Sequence, residues 1–283
     1  MADKFSWICR DYCFDPCKRP LVMGILNVTP DSFSDGGKYF SKDRAIERVM
    51  KMIKEGADII DVGGESTRPG SLPVRAEEEM ERVIPVIKAI IKEKKIPLSI
   101  DTTKAVVAEE AMKAGASIIN DISALTADTG MVAVAKKYRA GLILMHMKGT
   151  PQTMQDNPVY KDVVREVGIY LKKRMKDLKE AGLDLNVMAI DPGIGFGKTL
   201  EHNLLLLNGI SNFAKTGRPV VVGVSRKSFI GKVTGAGVNE RLGGSIAAML
   251  YVVERGASVV RVHDIKESRQ ALDIYQALKE KEK

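Results

Sequence analysis

PLSIDTTKAVVAEEAMKAGASIIND, residues 97–121, holds in miniature the pattern that decides the fold. Pro97 to Ile100 is a short apolar run that ends at Asp101, Lys104 to Ala114 reads as a helix, and Ser117 to Ile119 is a second apolar run that ends at Asn120-Asp121. Short runs without a polar face suit strands covered on both sides, and a helix between two of them makes the second strand parallel to the first. Each strand also finishes on a polar side chain, so the exits from the sheet carry the chemistry.

The same unit recurs in both directions. Leu21 to Asn27 is a buried strand that opens into the loop Val28 to Gly37, and Asp43 to Glu55 has Ala45, Ile46, Val49, Met50 and Ile53 at helical spacing, stopped by Gly56. Asp58 to Val62 is a strand running into Gly63-Gly64-Glu65-Ser66-Thr67-Arg68-Pro69-Gly70, followed by a helix over Ala76 to Lys94. Toward the carboxyl end come a helix over Gly130 to Tyr138, a strand over Leu142 to Met145 ending at His146, and a long helix over Val159 to Glu180. Val187 to Ile190 is a strand ending at Asp191, and Leu200 to Ala214 a helix. Pro219 to Val222 is a strand leading to Gly223-Val224-Ser225-Arg226-Lys227, and Gly243 to Arg255 a helix. Ser258 to Val260 is a strand ending at Arg261, and Lys266 to Leu278 a last helix.

Eight strand-then-helix units with no dividing linker predict the α/β class and a (β/α)8 TIM barrel, one domain over residues 19–283. An open doubly wound sheet is the alternative; it is disfavoured because no G-x-G-x-x-G follows the first strand. Residues 1–18 precede the barrel. There Phe5, Trp7 and Cys9, then Tyr12 and Phe14 beyond Arg10-Asp11, alternate as in a short β-hairpin, which would plug the bottom of the barrel. Cys9, Cys13 and Cys17 have neither zinc-ribbon nor common iron–sulfur spacing and are read as reduced, structural thiols.

The chain carries a formal net charge of +8. Its basic residues lie largely on helix faces interleaved with acids, as at Lys172, Lys173, Arg174 and Lys176, and aromatics are only 5%, so a solvated surface is expected and no nucleic-acid partner. No run approaches membrane-spanning length and no secretory signal opens the chain; a cytoplasmic protein without a membrane partner is expected.

Asn27, Asp101, Asn120, His146, Asp191, Lys227, Arg261 and His263 all sit at or just past strand exits. A closed barrel gathers those exits into one ring. Taken singly, Asp101, Asn120 or Asp191 would serve as a helix cap, His263 would do the same, and Arg261 would pair with a nearby carboxylate. The repetition at equivalent positions favours a shared site. Carboxylates and an amide suit a flat heterocycle with an amino-pyrimidinone edge, which fits a pterin and also a purine or flavin. Arg261, His263 and Lys227, with Asn27, suit phosphate oxygens and their cation. Phe33, an apolar residue stranded in the turn-forming loop, reads either as folded back on that loop or as part of a lid.

LVMGILNVTPDSFSDGG at 21–37, DVGGESTRPG at 61–70, SIDT at 99–102, INDI at 119–122, MHMKGTPQTMQ at 145–155, DPGIGFGKT at 191–199, SRKSFIG at 225–231 and RVHD at 261–264 resemble, in order, the signatures of the dihydropteroate synthase family. The resemblance covers the chain from Lys18 onward. It implies a transferase that condenses a dihydropterin methyl diphosphate with p-aminobenzoate in folate biosynthesis, by diphosphate loss before amine attack. It further implies that Asp101, Asn120 and Asp191 hold the pterin with Lys227, while Thr67, Arg261, Val262 and His263 take the diphosphate region. Asn27 would bind Mg2+. Phe33, Arg68, Pro69, Phe196, Lys227 and Ser228 would line the p-aminobenzoate pocket, which sulfonamides would enter. Asp35, or failing it Asp31, would steady the cation left on the methylene, giving a catalytic set of Asp35, Lys227, Arg68 and Phe33. A homodimer through the last helices is implied as well. The alternative enzyme is a methyltetrahydrofolate methyltransferase, whose barrel resembles this one but has no need of Ser225-Arg226-Lys227-Ser228. A pterin-binding or nucleic-acid-binding protein without catalysis is the alternative from another class.

Overall fold

The computed structural model describes residues 6–16, 18–28 and 38–281. Phe33, Asp31, Asp35 and Cys17 lie outside the described residues.

An antiparallel hairpin comes first, β1 (Trp7–Cys9) and β2 (Tyr12–Phe14), with Trp7 opposite Phe14 and the turn at Arg10-Asp11. Eight parallel strands follow: β3 (Leu21–Asn27), β4 (Ile59–Gly63), β5 (Leu98–Asp101), β6 (Ile118–Asp121), β7 (Gly141–Met145), β8 (Met188–Asp191), β9 (Val221–Gly223) and β10 (Val259–Val262). Their order runs β8-β7-β6-β5-β4-β3-β10-β9, and a single parallel bridge, Ile190 to Val220, joins the two ends into a barrel.

The helices α1 (Lys38–Lys54), α2 (Ala76–Glu93), α3 (Ala105–Ala114), α4 (Met131–Tyr138), α5 (Val163–Glu180), α6 (Leu200–Asn208), α7 (Ile210–Ala214), α8 (Ser228–Thr234), α9 (Leu242–Glu254) and α10 (Ile265–Lys279) connect the strands. The predicted architecture holds. Two details differ. The helix expected over 200–214 breaks at Gly209, where a Cβ would stand 2.9 Å from Val164 Cγ1 of α5, so the chain bends at its closest approach to its neighbour. The short α8 was not anticipated; it fills the gap between Lys227 and Gly235, whose φ of +76° ends it.

Strand alternation divides the apolar residues into two sets. Val22, Leu26, Ile60, Val62, Leu98, Ile100, Ile119, Leu142, Leu144, Ile190, Val222 and Val260 pack outward under the helices. Leu21, Met23, Ile59, Ile118, Ile143, Ala189, Val221 and Val259 fill the barrel interior together with Trp7 and Cys9. The expected plug is therefore present: Trp7 is fully buried and donates through Nε1 to the Val187 carbonyl at 3.0 Å. Gly141 has no side chain because Cys9 occupies its space; a Cβ there would lie 2.3 Å from Cys9 Sγ. Arg10 fastens the hairpin from outside, donating to the Met112 and Ala116 carbonyls at 2.7 and 3.0 Å. Cys9 is buried and Cys13 exposed, both as free thiols.

Candidate active site

The interior positions change character along each strand. Below, next to the plug, they are apolar apart from Ser99 on β5; above, most are polar or glycine: Asn27 on β3, Asp61 and Gly63 on β4, Asp101 on β5, Asn120 on β6, Asp191 on β8, Gly223 on β9 and Arg261 on β10, with Met145 on β7 the apolar exception. Filling the bottom with hydrocarbon leaves the carboxyl end as the one place where a polar ligand can enter.

Arg261 organises that end. Its Nε donates to Asp61 Oδ2 at 2.6 Å and a terminal nitrogen donates to Asp101 Oδ2 at 2.8 Å. Asn120 Nδ2 donates to the same Asp61 oxygen at 3.1 Å. Side chains thus tie β4, β5, β6 and β10 together, over and above the backbone ladders. A buried charge persists only when paired and hydrogen-bonded, and Asp61, wholly inaccessible, meets both conditions through Oδ2; its Oδ1 has no partner among the described residues. The sequence by itself assigns Asp61 no role. Its signal was there: a carboxylate at an inward-facing position of the strand IIDVG.

The charges shift one another. Burial raises the Asp101 carboxyl to about 7, with Asp61 adding to the rise and Arg261 opposing it. Asp191 is also raised by burial, although the Gly193 amide donates to its Oδ1 at 2.7 Å and the charges of Lys227, Arg261 and Lys198 pull the other way. Lys227 is lowered to about 8 by burial and by Arg261, and its ammonium lies 4.3 Å from the centre of the Phe196 ring. His263 is lowered to about 4 by burial and Arg261, so it is neutral at physiological pH; its Nδ1 stands 3.0 Å from Ser225 Oγ.

None of the strand-exit residues is consumed as a cap. α3 begins at Lys104 with no side-chain cap, and its Ala105 amide donates to Asp128. Thr199 and His202 form a capping box at α6, which frees Asp191. The pairing foreseen for Arg261 does exist, and it is what binds the ring together.

The other predicted residues fall around this core. Asn27, half-buried at the end of β3, brings Oδ1 to 3.8 Å from where a Gly63 Cβ would stand, and Asp101 Oδ2 is equally far from that point. Asn27 Oδ1 is an oxygen of the hard type that Mg2+ takes, whereas Asp101 Oδ2 is already engaged by Arg261. Thr67 is half-buried, and Arg68 and Pro69 are exposed, in the loop after β4; the Gly70 amide donates to the Pro151 carbonyl at 3.0 Å and joins this loop to the one after β7. Ser228 is exposed at the start of α8. The side chain of Val262 belongs to the outer core, so only its backbone stands at the ring. His146 is tied to buried Lys198. Arg226, beside Lys227, turns away to Asp264 with φ +56°, donating from Nε at 3.0 Å. A groove of about 970 Å³ beside Met80, Ile84, Lys88 and Val106 lies on the outer flank of α2, away from the ring. Among the described residues no group of three or more His, Cys, Asp or Glu could hold a metal by itself.

The pterin binding enzyme family model matches residues 23–263. The dihydropteroate synthase of Escherichia coli K12 is 47% identical over 258 residues, covering 91% of each chain. Among solved structures, the Yersinia pestis dihydropteroate synthase with a sulfonamide drug superposes with a TM-score of 0.92 at 40% identity, over 98% of this chain and all of that one. The Xanthomonas albilineans dihydropteroate synthase in complex with 7,8-dihydropteroate gives 0.88 at 40% identity, over 97% of this chain and 98% of the other.

Proposed function

Because the chain belongs to the dihydropteroate synthases, within the pterin binding enzymes, we propose that its polar ring is where a dihydropterin methyl diphosphate is joined to p-aminobenzoate. The observation that carries this reading is the convergence of Asp61, Asp101, Asn120 and Arg261 in one hydrogen-bonded ring at the carboxyl end of the barrel, with Asp191 and Lys227 bearing on it electrostatically. The methyltransferase reading is not favoured: the relatives are synthases, and a methyl transfer would leave the Lys227–Phe196 contact without a purpose.

The roles follow from charge and hydrogen-bonding capacity. Asp101 and Asp191 accept from the amine and ring N–H groups of the pterin, and Asn120, fixed by Asp61, both donates and accepts. Arg261 and the protonated form of Lys227 supply positive charge to the departing diphosphate; His263, neutral, donates or accepts a hydrogen bond there. The electron-rich pterin carries the positive charge left on its methylene, so diphosphate leaves before the weak aniline attacks. Asp35 from the loop signature steadies that cation. The anilinium formed on attack is acidic enough to lose its proton to water, and no strong base is needed. Phe196, Lys227, Arg68, Pro69, Ser228 and Phe33 form the aryl pocket, which a sulfonamide enters as a mimic. Thr67 and the backbone at Val262 flank the diphosphate.

The donor set at Asn27 fits Mg2+, which commonly keeps waters and takes few protein ligands besides substrate phosphates. When bound, it neutralises diphosphate charge.

A homodimer is proposed through the last helices, α9 and α10, with α6 beside α9. Leu204 and Leu205 of α6 and Leu242 and Tyr251 of α9 are exposed, and the Tyr251 hydroxyl donates to Asn208 Oδ1 at 2.8 Å, so the two helices lie side by side with apolar side chains exposed on both. Among the described residues no helix is long and apolar enough to cross a membrane, and the proposed location is the cytoplasm.

Pyrophosphate release from the pterin diphosphate is the test. Release that requires both p-aminobenzoate and Mg2+ is expected; pterin binding without release would leave the ring correctly read and the chemistry refuted.

A further inference from the structure

Lys198 is almost completely buried, and none of its hydrogen bonds goes to a side chain assigned above to substrate. Its Nζ donates to the Phe196 backbone carbonyl at 2.8 Å, lies 3.3 Å from the His146 carbonyl and meets His146 Nδ1 at 3.1 Å. One side chain therefore staples the loop after β8 to the loop after β7. It does not act alone. Gln155 Nε2 donates to the Gly195 carbonyl at 2.9 Å, and the Tyr160 hydroxyl donates to the Gly197 carbonyl at 2.9 Å. Three successive carbonyls, of residues 195, 196 and 197, are each taken by a side chain, and two of the donors come from the connection between β7 and α5.

The backbone between these staples leaves little freedom. Gly193, Gly195 and Gly197 all have positive φ, and a Cβ on Gly193 would lie 2.0 Å from the His146 carbonyl oxygen while one on Gly197 would lie 2.4 Å from that of Lys148. Asn203 Oδ1 accepts from the Gly195 amide at 2.6 Å and closes the loop from the α6 side. Phe196 is the large aromatic side chain that this segment presents, and its ring carries the ammonium of Lys227.

We infer that Lys198, helped by Tyr160 and Gln155, is a positioning residue that fixes Phe196 in place before the aryl amine arrives, and so sets the enzyme's affinity for that substrate. The inference rests on the assignment of Phe196 to the p-aminobenzoate pocket. An aromatic wall that is already ordered costs no conformational entropy when the aryl ring docks, whereas a loop of three glycines without its staples would have to be ordered at that moment.

The test uses full-length Phe196→Ala, Lys198→Met, the double variant and Tyr160→Phe, with p-aminobenzoate varied at saturating pterin diphosphate and pterin affinity measured by calorimetry. Lys198→Met is expected to raise KM for p-aminobenzoate by about tenfold while the pterin Kd stays within about twofold. Tyr160→Phe, which removes one hydroxyl and keeps the ring, should raise the same KM by about two- to threefold. In the Phe196→Ala background, Lys198→Met should add less than about twofold, because both act through one ring. A KM within about twofold of the parent for Lys198→Met, or the full effect of Lys198→Met persisting without Phe196, overturns the inference. Should Lys198→Met not fold, an unchanged KM in Tyr160→Phe overturns it. If Phe196→Ala itself leaves this KM unchanged, the assignment of the aryl pocket fails instead, and the two failures are told apart.

Discussion

A single guanidinium decides how the upper barrel is arranged. Arg261 holds Asp61 and Asp101 side by side, and Asp61 in turn fixes the amide of Asn120. Asp61→Ala would leave Arg261 with one carboxylate and unpin Asn120; the expected results are a loss of about 3 kcal/mol in urea unfolding and a pterin affinity at least about tenfold weaker by calorimetry. Acid–base behaviour belongs to the same scale. kcat/KM for the pterin diphosphate should fall as pH drops below about 7, where Asp101 gains its proton, and as pH rises past about 8, where Lys227 loses its own. Lys227→Arg should remove the alkaline limb, and a profile that keeps that limb in this variant would assign it elsewhere. Stability responds in its own direction. Lys227 releases its proton at about 8 when folded and near its ordinary 10.5 when unfolded, so between those values the unfolded chain binds more protons and the folded state gains stability as pH rises. Lys227→Met should flatten that part of the curve of unfolding free energy against pH.

At the scale of elements, the hairpin and the site divide the barrel interior between them. β1 and β2 supply hydrocarbon to the lower half, and the strand exits supply polar groups to the upper half. Trp7→Ala should therefore lower unfolding stability by about 3–5 kcal/mol and leave both KM values unchanged, a separation that denaturation and steady-state kinetics read independently. Strand and helix alternation was legible in sequence because period and length carry it, and the strand-exit residues were legible because each follows an apolar run. What escaped were the non-local ties. Nothing local to Asp61 says that it meets Arg261, and nothing local to Lys198 says that it spans two loops. The sequence places Arg174 on a solvated basic face; it is instead largely buried and donates to the Ala124 carbonyl at 2.9 Å, at two neighbouring residues, Ala124 and Leu125, with positive φ. Its neighbours Lys173 and Lys176 do pair with Asp177 and Glu180 on the surface, as expected for such a face. The strand expected from Pro219 begins only at Val221, since a proline has no N–H for the ladder and Val220 forms only an isolated bridge.

For the whole molecule, the apolar face of α6 and α9 predicts assembly. Leu205→Glu with Tyr251→Glu should convert a dimer to a monomer in sedimentation velocity; a parent chain that sediments as a monomer would remove the proposal. The Asp61–Arg261–Asp101 cluster shares no residue with this face, so the monomer should still bind the pterin.

The barrel is not equally strong around its circumference. Seven strand neighbours share ladders, but β8 meets β9 through the lone Ile190 to Val220 bridge, where the Ile190 amide donates to the Pro219 carbonyl at 2.9 Å. In native-state amide exchange, the wall should part there first: the Ile190 proton should trade with deuterium through a low-energy opening while those of β4 and β5 wait for global unfolding. Asp191 and Lys227 stand on opposite sides of that seam, so a bound pterin touching both would act as a clasp and slow exchange at Ile190 more than anywhere else in the wall.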